Sequence, residues 1–276
     1  MTSQSDKALA FQSLHARPGV FVIPNPWDAG TAKLLAGLGF EALATTSAGH
    51  AFTLGRNDGA QKVSREETLA NARAVVEATN LPVSADLENG FGDAPEAAAE
   101  TIRQAAAVGL VGGSIEDATG RADDPIYGLD QAVARVRAAV AAARSLPFPF
   151  TLTARAENFL HGRRDLADTV HRLQAFQEAG ADVLYAPGLA TREEIEAVVR
   201  AVDRPVNVVM GLVGARFTVE ELGQIGVKRI SVGGSLARAA LGGFLRAARE
   251  IKDQGSFGYA DDAVPHKEIN VLFAAR

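Results

Sequence analysis

Cysteine is absent from this 276-residue chain. Without it there are no disulfides, no thiolate nucleophile and no Cys-based zinc site, and the composition fits a reducing cytoplasm. Long apolar runs are missing too: no stretch approaches the ~20 residues a membrane helix needs. The N-terminal segment MTSQSDKALAFQSL has no apolar core behind a basic start, so it does not read as a secretory signal. Nor is there a Lys/Arg block or a basic stripe interleaved with aromatics. Formal net charge is −5 with both signs dispersed, which argues against nucleic acid as a partner. A mildly acidic surface repels anions at long range, so any anion site must be built locally. The expectation is a cytoplasmic globular protein with neither a membrane nor a nucleic-acid partner.

What is present is ample apolar material, 47% of residues, arranged in a repeating alternation. Short β-rich runs (20–25, 42–47, 83–88, 113–117, 150–157, 182–187, 206–210, 229–233) are each followed by a polar turn and a segment of helical periodicity. The helical segments are 28–38, one starting at Ser64, then 95–108, 129–144, 166–179, 192–202, 219–225 and 236–253. Ser64 with Glu67 makes a capping-box pattern, and Thr191 and Thr218 read as caps. Repeated units of this kind need parallel strands, because each helix must cross back over the sheet. Eight of them let the sheet close on itself. A doubly wound open sheet is the alternative, but no Gly-x-Gly-x-x-Gly opens the first helix. The expected fold is therefore α/β, a single (β/α)8 TIM barrel over residues 1–276. Residues 1–19 read as a helical extension that plugs the barrel bottom. The last helix and tail, 236–276, broken at Gly255, Gly258 and Pro265, form either a mobile terminus or a segment packed on a neighbouring subunit.

In a barrel, chemistry sits at the carboxyl ends of the strands. The third run ends with Asp86 and Glu88, two residues apart and so on one face of the strand, followed by Gly90 and Gly92. The fourth ends with Glu116 and Asp117. Asp86, Glu88 and Glu116 at one barrel mouth repel each other unless a cation stands between them, and oxygen-only ligands favour Mg²⁺ or Mn²⁺ over zinc. The plainer reading is that such acids cap helices or pair with surface arginines. Arg155 ends the fifth run and either pairs with Glu157 or binds a substrate carboxylate through its planar fork. The turn Thr45-Thr46-Ser47-Ala48-Gly49-His50 offers backbone N–H groups to an anion, although such turns are common and a lone histidine is more often packing. Asp58, further along that loop, is in reach of the mouth. Gly233-Gly234 before the last helix is either a phosphate turn or a close-packing device.

Taken in order, these residues resemble the isocitrate lyase/phosphoenolpyruvate mutase superfamily. The resemblance rests on Asn25-Pro26-Trp27-Asp28, Ser47-Ala48-Gly49, Asp86-x-Glu88-x-Gly90-x-Gly92, Ile115-Glu116-Asp117, Ala154-Arg155-x-Glu157 and Asn207, and runs from about residue 20 to 240. It implies a Mg²⁺-assisted enzyme of C–C or P–C bonds in small 2-oxo and 2-hydroxy acids. Asp86 is then the direct metal ligand, and Glu88 and Glu116 act through coordinated water. Arg155 grips the substrate carboxylate, the amides of Ser47, Ala48 and Gly49 support an oxyanion, Thr45 and Asn207 contact substrate, and Asp58 is the active-site aspartate. The resemblance also implies a homotetramer, a dimer of dimers that exchange their last barrel helix.

One departure narrows the chemistry. Cysteine-containing lyases of this family carry Lys-Lys-Cys-Gly-His after the fourth strand, where this chain has Ala118-Thr119-Gly120-Arg121-Ala122-Asp123-Asp124-Pro125. An ordinary isocitrate or methylisocitrate lyase is thereby disfavoured. A phosphonomutase gating loop with Lys and Asn is missing from the same stretch. Decarboxylation of an oxaloacetate-like acid fits best, with retro-aldol cleavage next, for which Asp58, Tyr185 or His161 is a candidate base. The alternatives are a P–C mutase or hydrolase, a 2-oxo-acid-binding barrel with little activity, and a metal-free phosphate-binding barrel.

Overall fold

The computed structural model describes residues 2–59, 62–212 and 216–274. Eight strands form one parallel sheet: β1 (Phe21–Ile23), β2 (Leu43–Ala44), β3 (Val83–Asp86), β4 (Gly112–Glu116), β5 (Thr151–Arg155), β6 (Val183–Tyr185), β7 (Val206–Val209) and β8 (Arg229–Ser231). Their order is β1-β8-β7-β6-β5-β4-β3-β2, so each strand lies beside its sequence neighbours and the last returns to the first. The remaining seam is bridged where the Ala44 N–H donates to the Pro24 carbonyl at 3.1 Å. Asn25 reinforces it: its Nδ2 donates to the Thr45 carbonyl at 2.9 Å, and its Oδ1 accepts from the Val232 and Gly233 N–H groups at 2.9 Å each. One buried amide thus staples the end of β1 to the ends of both neighbours. The result is the nearly closed (β/α)8 barrel that the alternation predicts.

The helices are α1 (Gln4–Ala16), α2 (Ala29–Gly37), α3 (Ser47–Thr53), α4 (Arg65–Glu77), α5 (Pro95–Ala107), α6 (Leu129–Arg144), α7 (Leu166–Glu178), α8 (Arg192–Ala201), α9 (Val219–Ile225), α10 (Ser235–Gln254) and α11 (His266–Ala274), with a 3₁₀ turn at Gly258–Asp262. Capping boxes start α4 at Ser64–Glu67, α8 at Thr191–Glu194 and α9 at Thr218–Glu221, satisfying first-turn N–H groups that would otherwise lack partners. Between sheet and helices, fully buried Leu87, Ile102, Leu110, Leu152 and Phe176 form the core.

Helix α1 lies against the amino-terminal ends of the strands. Its Ala8, Phe11 and Leu14 pack with Phe21, Ile23, Ala42 and Val111. Gln4 Nε2 donates to the Ala106 and Leu110 carbonyls at 2.8 and 2.9 Å, and Lys7 Nζ to the Thr79 carbonyl at 2.9 Å. Phe11 sits so close to β4 that a Cβ on Gly112 would come within 2.8 Å of its ring. The glycine is what lets the plug seat.

Two elements differ from the sequence reading. The stretch after β2, read as an open turn, is the short helix α3, because Thr46 Oγ1 caps the Gly49 N–H. The tail does not simply end: α11 folds back on α2 of its own chain, with the Phe273 ring over Gly30. Before it, α10 buries only Ala237 among its described residues and leaves Leu241, Phe244 and Leu245 exposed.

Removing the plug's anchor is a direct test of this packing. Phe11→Ala is expected to destabilise the barrel by about 3–5 kcal/mol, the usual range for emptying a fully buried aromatic site. Urea unfolding followed by circular dichroism measures it.

Candidate active site

The carboxyl ends of β3, β4 and β5 bring Asp86, Glu116 and Arg155 together, and the parallel register sets Glu116 directly beside Arg155. The guanidinium is the hub. Its Nε donates to Glu157 Oε1 at 2.8 Å, its Nη1 donates to Asp86 Oδ1 at 2.9 Å, and its Nη2 lies 3.4 Å from Glu116 Oε2. It also lies over the Tyr185 ring, 5.1 Å from the centroid. Burial works against its charge, but Glu157, Asp86 and Glu116 together hold its pKa well above the ordinary arginine value. Asp117, behind this cluster, fixes the frame: its Oδ1 accepts from the Glu157 N–H at 2.8 Å and its Oδ2 from Arg172 Nη1 at 3.1 Å.

Negative charge is in excess here. Asp86, Glu116 and Glu157 pair with Arg155, and the charge of the same guanidinium acts on Asp58 and Glu88 without a contact. Burial pushes the Glu116 carboxyl well above the usual range, with Arg155 opposing and Glu157, Asp86 and Glu88 adding to the rise. Glu88 is pushed up to about 7 by burial and by the charges of Asp86 and Asp58. Asp58 sits on an exposed loop, yet burial of its carboxyl against the site raises its pKa, and Asp86 adds to that. Such mutual repulsion is relieved by a cation. The donors are all hard oxygen atoms, which suits Mg²⁺ or Mn²⁺ and not zinc. Among the described residues no three His, Asp or Glu side chains converge closely enough to cage a metal unaided.

The loop after β3 is built under constraint. Glu88 and Phe91 have φ of 47° and 60°, left-handed values that cost a side-chain-bearing residue on the order of 1–3 kcal/mol. Between them, Gly90 at φ 79° has no alternative, since a Cβ there would lie 2.9 Å from Ala98 Cα.

A cavity of about 430 Å³ opens above these strand ends. Thr45, Ser47, Ala48, Asp58, Asp86, Arg155 and Asn207 all line it, with Tyr185, Ser231 and Arg238. Its depth comes from small inward residues, Ala44, Ser84 and Ser114, where bulky branched side chains usually fill a barrel. Thr45 Oγ1 accepts from the Asp86 N–H at 3.1 Å, and the Ser47 N–H donates to Asp86 Oδ2 at 3.3 Å, so the second and third strand ends hold one another. Asn207 donates through Nδ2 to Ser231 Oγ at 3.0 Å.

Other candidate residues stand apart from that cavity. Gly49 is buried beneath it, where a Cβ would come within 2.7 Å of both Thr46 Cγ2 and Trp27 Cβ. Glu116 stands behind Arg155, and Glu88 lines a neighbouring cavity with Ser64, Arg65 and Phe91. Arg121 pairs with Asp93 at 2.9 Å and Asp124 at 3.2 Å. His50 and His161 do not line the cavity.

Sequence reasoning missed Arg229, which lies in the cavity floor. Its Nε donates to Asn207 Oδ1 at 2.8 Å and its Nη2 to Thr153 Oγ1 at 2.9 Å, and its Nη1 lies 3.3 Å from His15 Nε2. Burial lowers its pKa to about 10. Burial also holds His15 neutral, its pKa lowered to about 3. With Nδ1 2.8 Å from the Phe11 carbonyl, the tautomer that donates there leaves Nε2 free to accept from Arg229. The available signal was the period of β8, which turns Arg229 and Ser231 to one face.

The phosphoenolpyruvate phosphomutase family matches residues 11–252. A crystal structure of a suggested lyase/mutase from Burkholderia cenocepacia J2315 is 64% identical, with a TM-score of 0.96, covering 99% of this chain and 97% of that one. An uncharacterized protein of Mycobacterium tuberculosis is 32% identical over 89% of this chain and 90% of its own length. An oxaloacetate decarboxylase of Bradyrhizobium diazoefficiens is 28% identical over 71% of this chain and 68% of its own. The structure of oxaloacetate acetylhydrolase with its product oxalate is 25% identical, with a TM-score of 0.89, covering 100% of this chain and 96% of that one. The chain belongs to the phosphoenolpyruvate phosphomutase family, and with it to the isocitrate lyase/phosphoenolpyruvate mutase superfamily of enzymes.

Proposed function

We propose that the protein is a Mg²⁺-dependent carbon–carbon lyase or decarboxylase of a small 2-oxo or 2-hydroxy dicarboxylic acid, oxaloacetate-like before any other, working through an enolate. The observation that carries this reading is the gathering of Asp86, Glu116 and Glu157 on one guanidinium, with Glu88 and Asp58 near enough to act on its carboxylates, where Asp58, Asp86 and Arg155 line a small cavity. Asp86 would hold Mg²⁺ (or Mn²⁺) directly, and Glu88 and Glu116 through water. When bound, the cation supplies positive charge where the enolate oxygen develops its negative charge.

The chain's own residues do the rest. Arg155 orients the substrate by a carboxylate, through the N–H groups that Glu157, Asp86 and Glu116 leave over. The amides around Ser47 and Ala48, with Thr45 and Asn207, offer donors to the developing oxyanion. Loss of CO₂ leaves its bonding electron pair in the enolate. Protonation at carbon, by Asp58 or by water, then completes the turnover. No strong protein acid is needed from the loop after β4, whose Arg121 is committed to Asp93 and Asp124. That commitment also weighs against phosphonate transfer, which needs a free cation near the moving group. Similarity to an oxaloacetate decarboxylase and to oxaloacetate acetylhydrolase supports the four-carbon acid. Retro-aldol cleavage of a substituted malate is the next choice.

The assembly belongs to the same proposal: a cytoplasmic homotetramer in which α10 packs on a neighbouring copy, while α11 stays on α2 of its own chain. The exposed Leu241, Phe244 and Leu245 on a helix that buries little of its own chain support it. No helix among the described residues is long and apolar enough to cross a membrane.

Calorimetry with oxaloacetate, 2-oxoglutarate, pyruvate and phosphonopyruvate, each with Mg²⁺ and with EDTA, tests the site. A 2-oxo acid is expected to bind only with the metal, and Asp86→Ala and Arg155→Ala each to weaken it by about 2 kcal/mol or more, roughly 30-fold. Binding that ignores EDTA contradicts the reading, and phosphate release from phosphonopyruvate would move it to P–C chemistry. Light scattering after size exclusion is expected to give a tetramer that Phe244→Asp breaks into smaller species. A monomeric wild type would remove the assembly proposal.

A further inference from the structure

We propose that Arg135, on the outer helix α6, is a positioning residue for the candidate cation site: it holds the loop at residues 88–93 in its left-handed shape and so fixes where the Glu88 carboxylate stands. The proposal rests on the reading of Glu88 as part of that site.

Arg135 is 1% exposed, among the largest fully buried side chains of the protein. Its hydrogen bonds all go to main-chain carbonyls of one loop. Nη1 donates to the Gly92 and Asp93 carbonyls at 2.5 Å each and reaches the Ala94 carbonyl at 3.5 Å, and Nη2 donates to the Asn89 carbonyl. The guanidinium stacks on the Tyr127 ring, 4.4 Å from its centroid, and the Tyr127 hydroxyl donates to Asp93 Oδ1 at 2.5 Å. A cation buried in this way is costly unless its donors are fixed in place, and a planar fork suits divergent carbonyls in a way that an ammonium does not.

The gripped carbonyls bracket Phe91 and begin at the residue next to Glu88. Glu88, at φ 47°, immediately precedes Asn89, and Phe91, at φ 60°, immediately precedes Gly92. Within the loop the Gly90 N–H donates to the Leu87 carbonyl at 2.9 Å and the Phe91 N–H to Asn89 Oδ1 at 3.0 Å. The Glu88 carbonyl accepts from the Glu116 N–H at 3.0 Å, so the two outer acids of the site share a main-chain bond. Neither Glu nor Phe prefers a left-handed backbone, and Asp86 and Asp58 repel the Glu88 carboxylate. Left alone, the loop gains by swinging Glu88 away. Arg135 opposes that from behind, without touching cation or substrate.

The test uses Arg135→Met, Arg135→Lys and the double variant Arg135→Met/Phe91→Gly in the full-length protein. Two readouts are followed: hydrogen exchange of the amides at 88–93 in metal-free protein, and Mn²⁺ affinity by electron paramagnetic resonance. Arg135→Met is expected to speed exchange at Gly90 and Phe91 by about tenfold or more and to weaken Mn²⁺ by about 10–100-fold, as loss of an outer support does at metal sites. Arg135→Lys keeps the charge and the stem but not the fork, and is expected to fall close to Arg135→Met. Glycine at position 91 accepts positive φ without strain, so the double variant should regain much of both losses. A packing role alone would lower the unfolding temperature while leaving loop exchange and Mn²⁺ affinity unchanged, with no rescue by Phe91→Gly; that result overturns the proposal. Should Arg135→Met not fold, Arg135→Lys against wild type decides by the same readouts. Wild-type protein that binds no Mn²⁺ defeats the metal reading, while the exchange contrast still decides the role of Arg135.

Discussion

Arg155 is the constraint on which the site depends. A guanidinium drawn out of water at the end of a barrel strand is tolerable only when its donors are matched, and here Asp86, Glu116 and Glu157 match them from three directions. Those same carboxylates, with Glu88 and Asp58 close by, overcompensate it. The site is therefore left with a negative surplus held in fixed geometry next to a small cavity. A divalent cation would neutralise that surplus, and an anionic substrate would then meet less repulsion, so that the proposed binding of the two is linked.

The barrel supplies the rigidity that this balance needs. Asn25 closes the seam between β1 and its neighbours, and α1 seals the amino-terminal end with Phe11 seated on Gly112. Small residues, Ala44, Ser84 and Ser114, then leave space inside the carboxyl-terminal half. The polar floor this exposes is satisfied through Arg229, which ties Asn207 and Thr153 to the plug residue His15. Stability below and vacancy above are thus parts of one construction, with the chemistry kept on the open side. Arg135 extends the same logic to the loop after β3, where an outer helix supports a backbone shape that the loop's own residues resist.

Much of this was legible in the sequence because it is local. Strand periodicity set Asp86 at a strand end facing the mouth, the eightfold alternation allowed a closed parallel sheet, and the Ser64, Thr191 and Thr218 caps marked where helices begin. Glu88, expected on the same face as Asp86, instead follows the strand at φ 47° and lines a neighbouring cavity, because the loop leaves the strand geometry after Asp86. What escaped depends on contacts between distant segments. Arg229 meets His15 across 214 positions of chain, and no local pattern announces that. Helix α3 is too short for periodicity to register, so Ser47-Ala48-Gly49 read as an open turn. The glycine at 49 was visible, but packing of its backbone against Trp27 was not. Arg155 was recognised as a pairing or binding group, while the number of its partners emerged only when the neighbouring strand ends were placed beside it.

On the proposed function, this cavity stabilises an enolate with the help of a divalent cation. Proton nuclear magnetic resonance of pyruvate in deuterium oxide tests it without knowledge of the natural substrate, because an enolate-forming site exchanges the methyl protons of pyruvate for deuterium. Exchange above the buffer rate that requires Mg²⁺ and disappears in Asp86→Ala is expected. Exchange at the buffer rate in wild-type protein saturated with Mg²⁺ and pyruvate, or exchange that persists unchanged in EDTA, would contradict it.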